Sequence, residues 1–101
     1  MKNFRTYELA LEFYQQCQRV KINNAVIKNQ FERASLSVTL NLAEGSGKLT
    51  SKDRRKFYSI AMGSLRETQC LLKILKEEIL LKNSDKLGAF LYKLIQNPGS
   101  S

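Results

Sequence analysis

The sequence predicts an all-α fold, an up-down-up-down four-helix bundle. Its single proline, Pro98, lies beyond the last periodic segment, and the glycines fall mostly at Gly45, Gly47 and Gly99. Proline and glycine are the strongest helix breakers, so this distribution favours long helices. No stretch alternates apolar and polar residues for long, so no strands are predicted. Four amphipathic helices with short connections are typical of such a bundle.

Apolar periodicity gives the approximate bounds of the four helices. The predicted ranges are residues 7–21, 24–44, 50–82 and a fourth helix from Ser84 to just before Pro98. Three end signals support them: a left-handed cap at Gly45, capping-box spacing from Thr50 to Asp53, and Ser84 as an N-cap. We expect one domain over residues 1–97 and a disordered tail over 98–101.

The predicted third and fourth helices differ in length. The fourth would cover less than half of the third, so part of the third helix's apolar surface would lack a partner within the chain. The apolar surface of the third helix consists of these residues: Phe57, Ile60, Ala61, Leu65, Leu71, Leu72, Leu75 and Ile79. The mismatch indicates self-association.

Composition excludes several classes of function. The chain has no histidine, so a histidine-based triad or a histidine-ligated metal site is excluded, and we expect no cofactor or metal. The formal net charge of +8 predicts attraction to polyanions. Cys17 and Cys70 are too few for a disulfide framework, and we expect both to be buried or half-buried. No apolar leader region and no run approaching ~18 apolar residues is found, so a cytoplasmic protein is expected.

The second helix carries two apolar stripes. One contains Ile27, Phe31, Ala34, Val38, Leu42 and Gly45. Leu36, Leu40 and Ala43 form a second stripe, roughly 170° away around the helix. A helix at the edge of a monomeric bundle needs only one apolar stripe. We therefore predict that Leu36, Leu40 and Ala43 contact another subunit.

A polar stripe that includes Arg33, Asn41 and Glu44 lies between these two apolar stripes. It permits a catalytic interpretation, with Glu44 or Glu67 as an acid or base in an open pocket. It equally permits a structural one, in which partly buried Arg33 and Glu44 fix the helix register. No nucleophile, metal-ligand set or histidine accompanies the stripe, so we expect a protein that is not an enzyme.

The segment 44–50 resembles a phosphate-binding loop only superficially. The first glycine of that motif would fall at Leu42, and Leu49 stands where serine or threonine should follow Lys48. A glycine-rich turn between helices explains the segment.

Basic residues cluster at the start of the third helix and continue along it. The candidate nucleic-acid-binding residues are Lys48, Lys52, Arg54, Arg55, Lys56, Arg66 and Lys73. Such a stripe would attract a phosphate backbone without reading bases. A solvated helix face is the alternative, although positive charge in the first turn opposes the helix dipole. Tyr58, close to the cluster, could stack on an unpaired base, or could lie at the edge of the apolar surface.

Two blocks of the sequence resemble a known family. They are Gln30-x-x-Arg33-Ala34-x-x-Ser37-Val38-x-x-Asn41-Leu42-Ala43-Glu44-Gly45 and Phe57-Tyr58-x-Ile60-Ala61-x-Gly63-Ser64-Leu65-x-Glu67-Thr68-Gln69. Together they resemble the small proteins encoded in intervening sequences of bacterial 23S ribosomal RNA genes. That family includes the accessory variability determinant protein of diversity-generating retroelements, which partners a reverse transcriptase. The resemblance covers about residues 4–96.

The resemblance carries expectations of its own. It implies a four-helix bundle that assembles as a ring-like homopentamer with a basic surface suited to nucleic acid. It also implies a structural polar network between helices two and three, formed by Arg33, Ser37, Asn41, Glu44, Ser64 and Glu67. The chain departs from the family at Thr39, where a proline is common, so we expect a milder kink in helix two.

These observations lead to two hypotheses of function. The first is a non-enzymatic, oligomeric bundle that binds the RNA or DNA backbone through its basic surface. The alternative is an interaction scaffold that binds an acidic protein such as a reverse transcriptase, with no direct nucleic-acid role. No membrane partner is expected.

Overall fold

A computed structural model, which describes residues 4–99, shows four helices joined by short connections. They are α1 (Phe4–Gln18), α2 (Ala25–Ser46), α3 (Ser51–Ile74) and α4 (Glu78–Gln96). Each helix packs on the next in sequence, and α4 closes the bundle against α1. Within the described residues, α2 and α4 lie diagonally across the bundle, with no Cα atom of one within 8 Å of the other. The predicted all-α four-helix bundle is confirmed.

All four helices contribute to one apolar core. Its buried members include Phe13 of α1, Phe31, Val38 and Leu42 of α2, Tyr58, Leu65 and Leu72 of α3, and Leu87 and Leu91 of α4. The first apolar stripe of α2 therefore faces the core, as its spacing predicted. Thr39 is also buried, and its hydroxyl donates to the carbonyl of Ala10 on α1 at 3.3 Å.

The starts of α2 and α3 are both capped by side chains. Asn24 Oδ1 accepts from the backbone N–H of Ile27 at 3.0 Å, and Thr50 Oγ1 accepts from that of Asp53 at 3.1 Å. Each satisfies an otherwise unpaired N–H at a helix start. The left-handed cap predicted at Gly45 is wrong. Gly45 lies inside α2, and no glycine among residues 4–99 has a positive φ.

The boundary between α3 and α4 also differs from the prediction. α3 ends at Ile74 rather than Lys82, because Lys76 takes a left-handed conformation with φ 59°. The N–H of Glu77 donates to the Leu72 carbonyl at 2.9 Å and that of Lys76 to the Lys73 carbonyl at 3.1 Å. These two bonds form a Schellman motif, which normally uses glycine at the left-handed position.

This boundary changes two earlier expectations. Ser84 is not an N-cap, because it lies buried in the interior of α4. α3 has 24 residues and α4 has 19, so the predicted length mismatch is wrong and no longer indicates self-association.

The left-handed residue gives a test of the boundary. Lys76→Gly should raise the free energy of unfolding by about 0.5–1 kcal/mol, because glycine avoids the steric cost of the left-handed region. Lys73→Gly, in the last turn of α3, is the control and should lower it by about 1 kcal/mol. Urea unfolding at one protein concentration measures both. A loss of stability in Lys76→Gly would show that the turn is not strained.

Pro98 follows α4 and packs back against the turn between α2 and α3. Pro98 is buried, and its carbonyl accepts from Arg54 Nη1 at 3.3 Å. Residues 100–101 of the predicted tail lie outside the described residues. Over residues 4–99, no helix combines the length and apolar character that crossing a membrane requires.

Candidate nucleic-acid interface

Five of the predicted binding residues project from the surface of α3. Lys52, Arg55, Lys56, Arg66 and Lys73 are all exposed. They span 21 helical positions, or about 32 Å at 1.5 Å per residue. Asp53 is the acidic residue in the first turn of α3, next to Lys52 in the sequence. The fold thus presents a long positive strip along one helix.

Arg54 points elsewhere and holds the turn between α2 and α3. Its Nε donates to the Lys48 carbonyl at 2.8 Å, its Nη2 to the Leu49 carbonyl at 3.4 Å, and its Nη1 to the Pro98 carbonyl at 3.3 Å. A guanidinium presents five N–H donors in a planar fork, so three contacts leave few for a phosphate. Arg54 therefore fixes the base of the positive strip.

Lys48 and Lys56 both approach the Phe57 ring. Their Nζ atoms are 5.0 Å and 5.9 Å from the ring centroid, within the range of cation–π attraction. Lys48 Nζ is also 4.0 Å from the carboxylate of Glu44. Both lysines therefore keep their charged ends close to the basic turn.

Arg55 and Arg66 are each anchored by one nitrogen. Arg55 Nε donates to the Ile95 carbonyl of α4 at 3.0 Å. Arg66 Nη1 donates to Gln69 Oε1 at 2.9 Å, and Gln69 Nε2 in turn donates to Ser84 Oγ of α4 at 2.8 Å. Within residues 4–99 the other guanidinium nitrogens of these two arginines have no acceptor. They are therefore available to an anion in solvent.

Tyr58 is not available for stacking. Its side chain is 0% exposed, and its ring lies against Gly45 of α2. Its hydroxyl lies 3.3 Å from Ser46 Oγ. The hypothesis that Tyr58 stacks on a base is therefore wrong, because Gly45 leaves the space in α2 that draws the ring inward.

The polar network expected from the resemblance lies between α2 and α3. Arg33 forms an ion pair with Glu67, Ser37 Oγ and Ser64 Oγ are 2.8 Å apart, and Asn41 Nδ2 donates to Ser37 Oγ at 2.9 Å. Glu44 lies away from this group, with its side chain 58% exposed beside Lys48. Arg33 and Glu67 are also half exposed. These contacts set the register of the two helices.

Exposed apolar residues flank this network and form what we call the α2/α3 face. It consists of Leu36, Leu40 and Ala43 of α2 with Ile60, Gly63 and Ile74 of α3. Ile60 and Ile79, which their spacing assigned to the apolar surface of the predicted third helix, are both exposed. The spacing that places Ile60, Gly63 and Ile74 on one side of α3 was visible in the sequence. Spacing alone, however, does not tell an exposed apolar residue from one that belongs to the core.

The two cysteines differ in environment. Cys17 is buried in the core, and burial raises the pKa of its thiol to about 12. Cys70 is exposed on α3, so the expectation that it is buried or half-buried is wrong. Thiol-directed reagents react with the thiolate, so only Cys70 is a ready target at neutral pH.

The fold and this surface define a class: a small all-α bundle with a basic strip and an apolar face. The family described as 23S rRNA-intervening sequence protein matches residues 4–96. The chain belongs to this family. Comparison with curated proteins gave no match, and neither did comparison with solved structures.

Proposed function

We propose that this protein is a non-enzymatic, oligomeric bundle that binds the backbone of nucleic acid. The observation that carries the proposal is the row of exposed basic residues along α3. The family's name, which refers to ribosomal RNA genes, and the net charge of +8 add support. Phosphate contacts of this kind give affinity without base specificity.

The mechanism is electrostatic. Each phosphate that a lysine or arginine neutralises releases a condensed counterion, so affinity falls as salt rises. Lys52, Lys56 and Lys73 supply mobile point charges, whereas Arg55 and Arg66 offer anchored donors of fixed direction. Glu44 and Glu67 are placed beside cations at the helix surface, which suits a structural rather than a catalytic role.

A matched pair of triple variants tests this surface. Lys52→Gln/Lys56→Gln/Lys73→Gln should weaken RNA binding at least tenfold at low salt and reduce the salt slope by about 2–3. Lys21→Gln/Lys28→Gln/Lys82→Gln removes the same charge from exposed sites off α3 and is the control. Fluorescence anisotropy between about 50 mM and about 200 mM salt measures both.

Two outcomes would contradict the proposal. Equal losses in the two triple variants would mean that binding follows net charge rather than the α3 strip. An affinity that does not change with salt would exclude the electrostatic mechanism. If the unmodified protein binds nucleic acid negligibly near physiological salt, the basic strip instead fits an acidic protein partner.

The oligomer, which the resemblance implies is a ring-like pentamer, would form through the α2/α3 face. Leu36, Leu40 and Ile60 are 39%, 58% and 42% exposed. The surface of a soluble monomer rarely carries a cluster of exposed large apolar residues. Burying a leucine contributes about 1.5–3 kcal/mol, so a few of these residues at each contact suffice for association. A second copy of the chain would cover the face and leave the basic strip repeated by symmetry.

Sedimentation velocity checks this assembly. Leu40→Lys should shift the oligomer towards monomer by at least 100-fold in dissociation constant, because an unpaired charge would be buried. Ile79→Lys is the control, since Ile79 is 81% exposed on α4 and off this face. A stable monomer of the unmodified protein at micromolar concentration would overturn the assembly.

A further inference from the structure

An exposed aromatic residue stands beside the basic strip. Tyr92 of α4 is 56% exposed, whereas Tyr58 is buried and Tyr7 and Tyr14 are half-buried. The Tyr92 ring is too exposed to contribute much to the apolar core of the described residues. The position of Tyr92 relative to the arginines of α3 indicates a role in binding.

Along α4, Tyr92 lies between the positions that Arg55 and Arg66 approach. A Cβ placed on Gly88, one turn before Tyr92 on the same side of α4, would lie 3.9 Å from Arg66 Nη1. On the other side, Arg55 Nε donates to the carbonyl of Ile95, nearly one turn after Tyr92. The two arginines are eleven positions apart on α3, or about 16 Å. We call Arg55, Arg66, Gly88 and Tyr92 the α3/α4 face.

All three side chains of this face are held in place. Arg55 is fixed by Ile95, and Arg66 by the buried amide of Gln69. The Tyr92 hydroxyl accepts from Gln96 Nε2 at 2.9 Å, which restrains the ring while leaving it open to solvent. Fixed groups lose little conformational entropy when a ligand binds, so the face is preorganised.

The combination of groups selects one form of nucleic acid. Arginine donors match phosphate oxygens, and an aromatic ring stacks on the flat face of a base. A duplex keeps its bases paired and stacked internally, so only an unpaired strand can offer one to Tyr92. We propose that the α3/α4 face binds an unpaired strand, with a base stacked on Tyr92 between phosphate contacts to Arg55 and Arg66. This inference rests on the proposed function and adds the class of nucleic acid.

The α3/α4 face is separate from the apolar α2/α3 face. Leu36, Leu40 and Ala43 belong to α2, which has no Cα atom within 8 Å of α4 in residues 4–99. On α3, the apolar residues Ile60, Gly63 and Ile74 lie roughly 60–140° around the helix from Arg55 and Arg66. Assembly through the α2/α3 face therefore leaves Tyr92 accessible. Asp85, on the far side of Gly88 from Tyr92, is an acidic residue of α4 that would repel a phosphate. It limits the path of the strand at that end.

Binding to a short single-stranded RNA, and to the same RNA annealed to its complement, tests the inference. Tyr92→Ala should weaken binding to the single strand by about 5- to 100-fold, the range for loss of one stacked base. It should leave binding to the duplex within about twofold, since phosphate contacts to the strip remain. Tyr92→Phe keeps the ring and should retain most of the single-strand affinity.

A fluorescence experiment reports the stacking directly. The chain has no tryptophan, so Tyr92→Trp introduces a single indole. Its emission should be quenched by the single strand and little changed by the duplex. Val26→Trp, at an exposed position of α2, is the control and should respond to neither.

The outcomes separate this inference from the proposed function. Failure of the unmodified protein to bind either RNA would overturn both. Binding that Tyr92→Ala leaves unchanged for the single strand would overturn the stacking role and leave backbone binding intact. An equal loss for single strand and duplex would also overturn it, because Tyr92 would then not distinguish unpaired bases.

Discussion

Tyr58→Ala should lower the free energy of unfolding by about 3–5 kcal/mol, the range for truncating a large buried aromatic side chain. Tyr58 is the largest of the fully buried side chains among the described residues, and it is 0% exposed. Its loss removes apolar contacts and leaves a cavity between α2 and α3 that the two helices cannot fill by small movements. For a domain of this size, whose total stability is about 5–15 kcal/mol, that is a large share.

Thermal and urea unfolding followed by circular dichroism measure the effect. The melting temperature should fall by about 12–40 °C, since each kcal/mol corresponds to about 4–8 °C in a domain near 100 residues. Tyr92→Ala is the control, because Tyr92 is 56% exposed and its loss should change stability little. Protein concentration must be held constant, because self-association would itself shift the transition. Equal effects of the two variants would contradict the buried position of Tyr58.

Gly45→Ala should be the second strongly destabilising change, by about 1–3 kcal/mol. A Cβ at Gly45 would lie 2.8 Å from Tyr58 Cε1 and 3.0 Å from Phe57 Cβ, closer than carbon atoms pack. Alanine is the better helix former by about 1 kcal/mol, so this clash must outweigh a favourable backbone effect. α2 and α3 would have to separate, or the buried ring would have to move.

A double-mutant cycle identifies the cause. In the Tyr58→Ala background the two closest contacts of the new Cβ are gone and only Phe57 Cβ, at 3.0 Å, remains, so Gly45→Ala should cost clearly less than in the unmodified protein. Gly88→Ala is the matched control, because a Cβ there would lie 3.6 Å from Leu65 Cδ2, an ordinary contact distance. It should raise stability by up to about 1 kcal/mol. Additive losses at Gly45 and Tyr58 would show that the ring is not what Gly45 accommodates.

The fold was largely predictable from the sequence. Helical periodicity, the near absence of proline and the cap at Thr50 depend on local chemistry, and local chemistry is visible in a sequence. The end of α3 was not predictable, since Leu72, Leu75 and Ile79 continue the apolar spacing across it. The break depends on Lys76 taking a left-handed conformation. Lysine seldom adopts this conformation, so the residue type at this position does not predict it.

The candidate site was predictable only in part. A helical wheel places Lys52, Arg55 and Arg66 on one side of α3 because their spacing alone determines that. It could not show that Arg54 turns inwards, since one of its acceptors is Pro98, from a distant part of the chain. Nor could it place Tyr92 beside Arg55 and Arg66, because that proximity depends on how α4 packs against α3.

The contacts of Arg54 and Arg55 have a consequence for the order in which the molecule forms. Arg54 binds a carbonyl 44 residues further along the chain, and Arg55 binds one 40 residues further along. During synthesis, α2 and α3 emerge first and can pair while these acceptors have not yet been made. The contacts that Arg54 and Arg55 make with the end of the chain can therefore form only after the segment from Ile95 to Pro98 has left the ribosome.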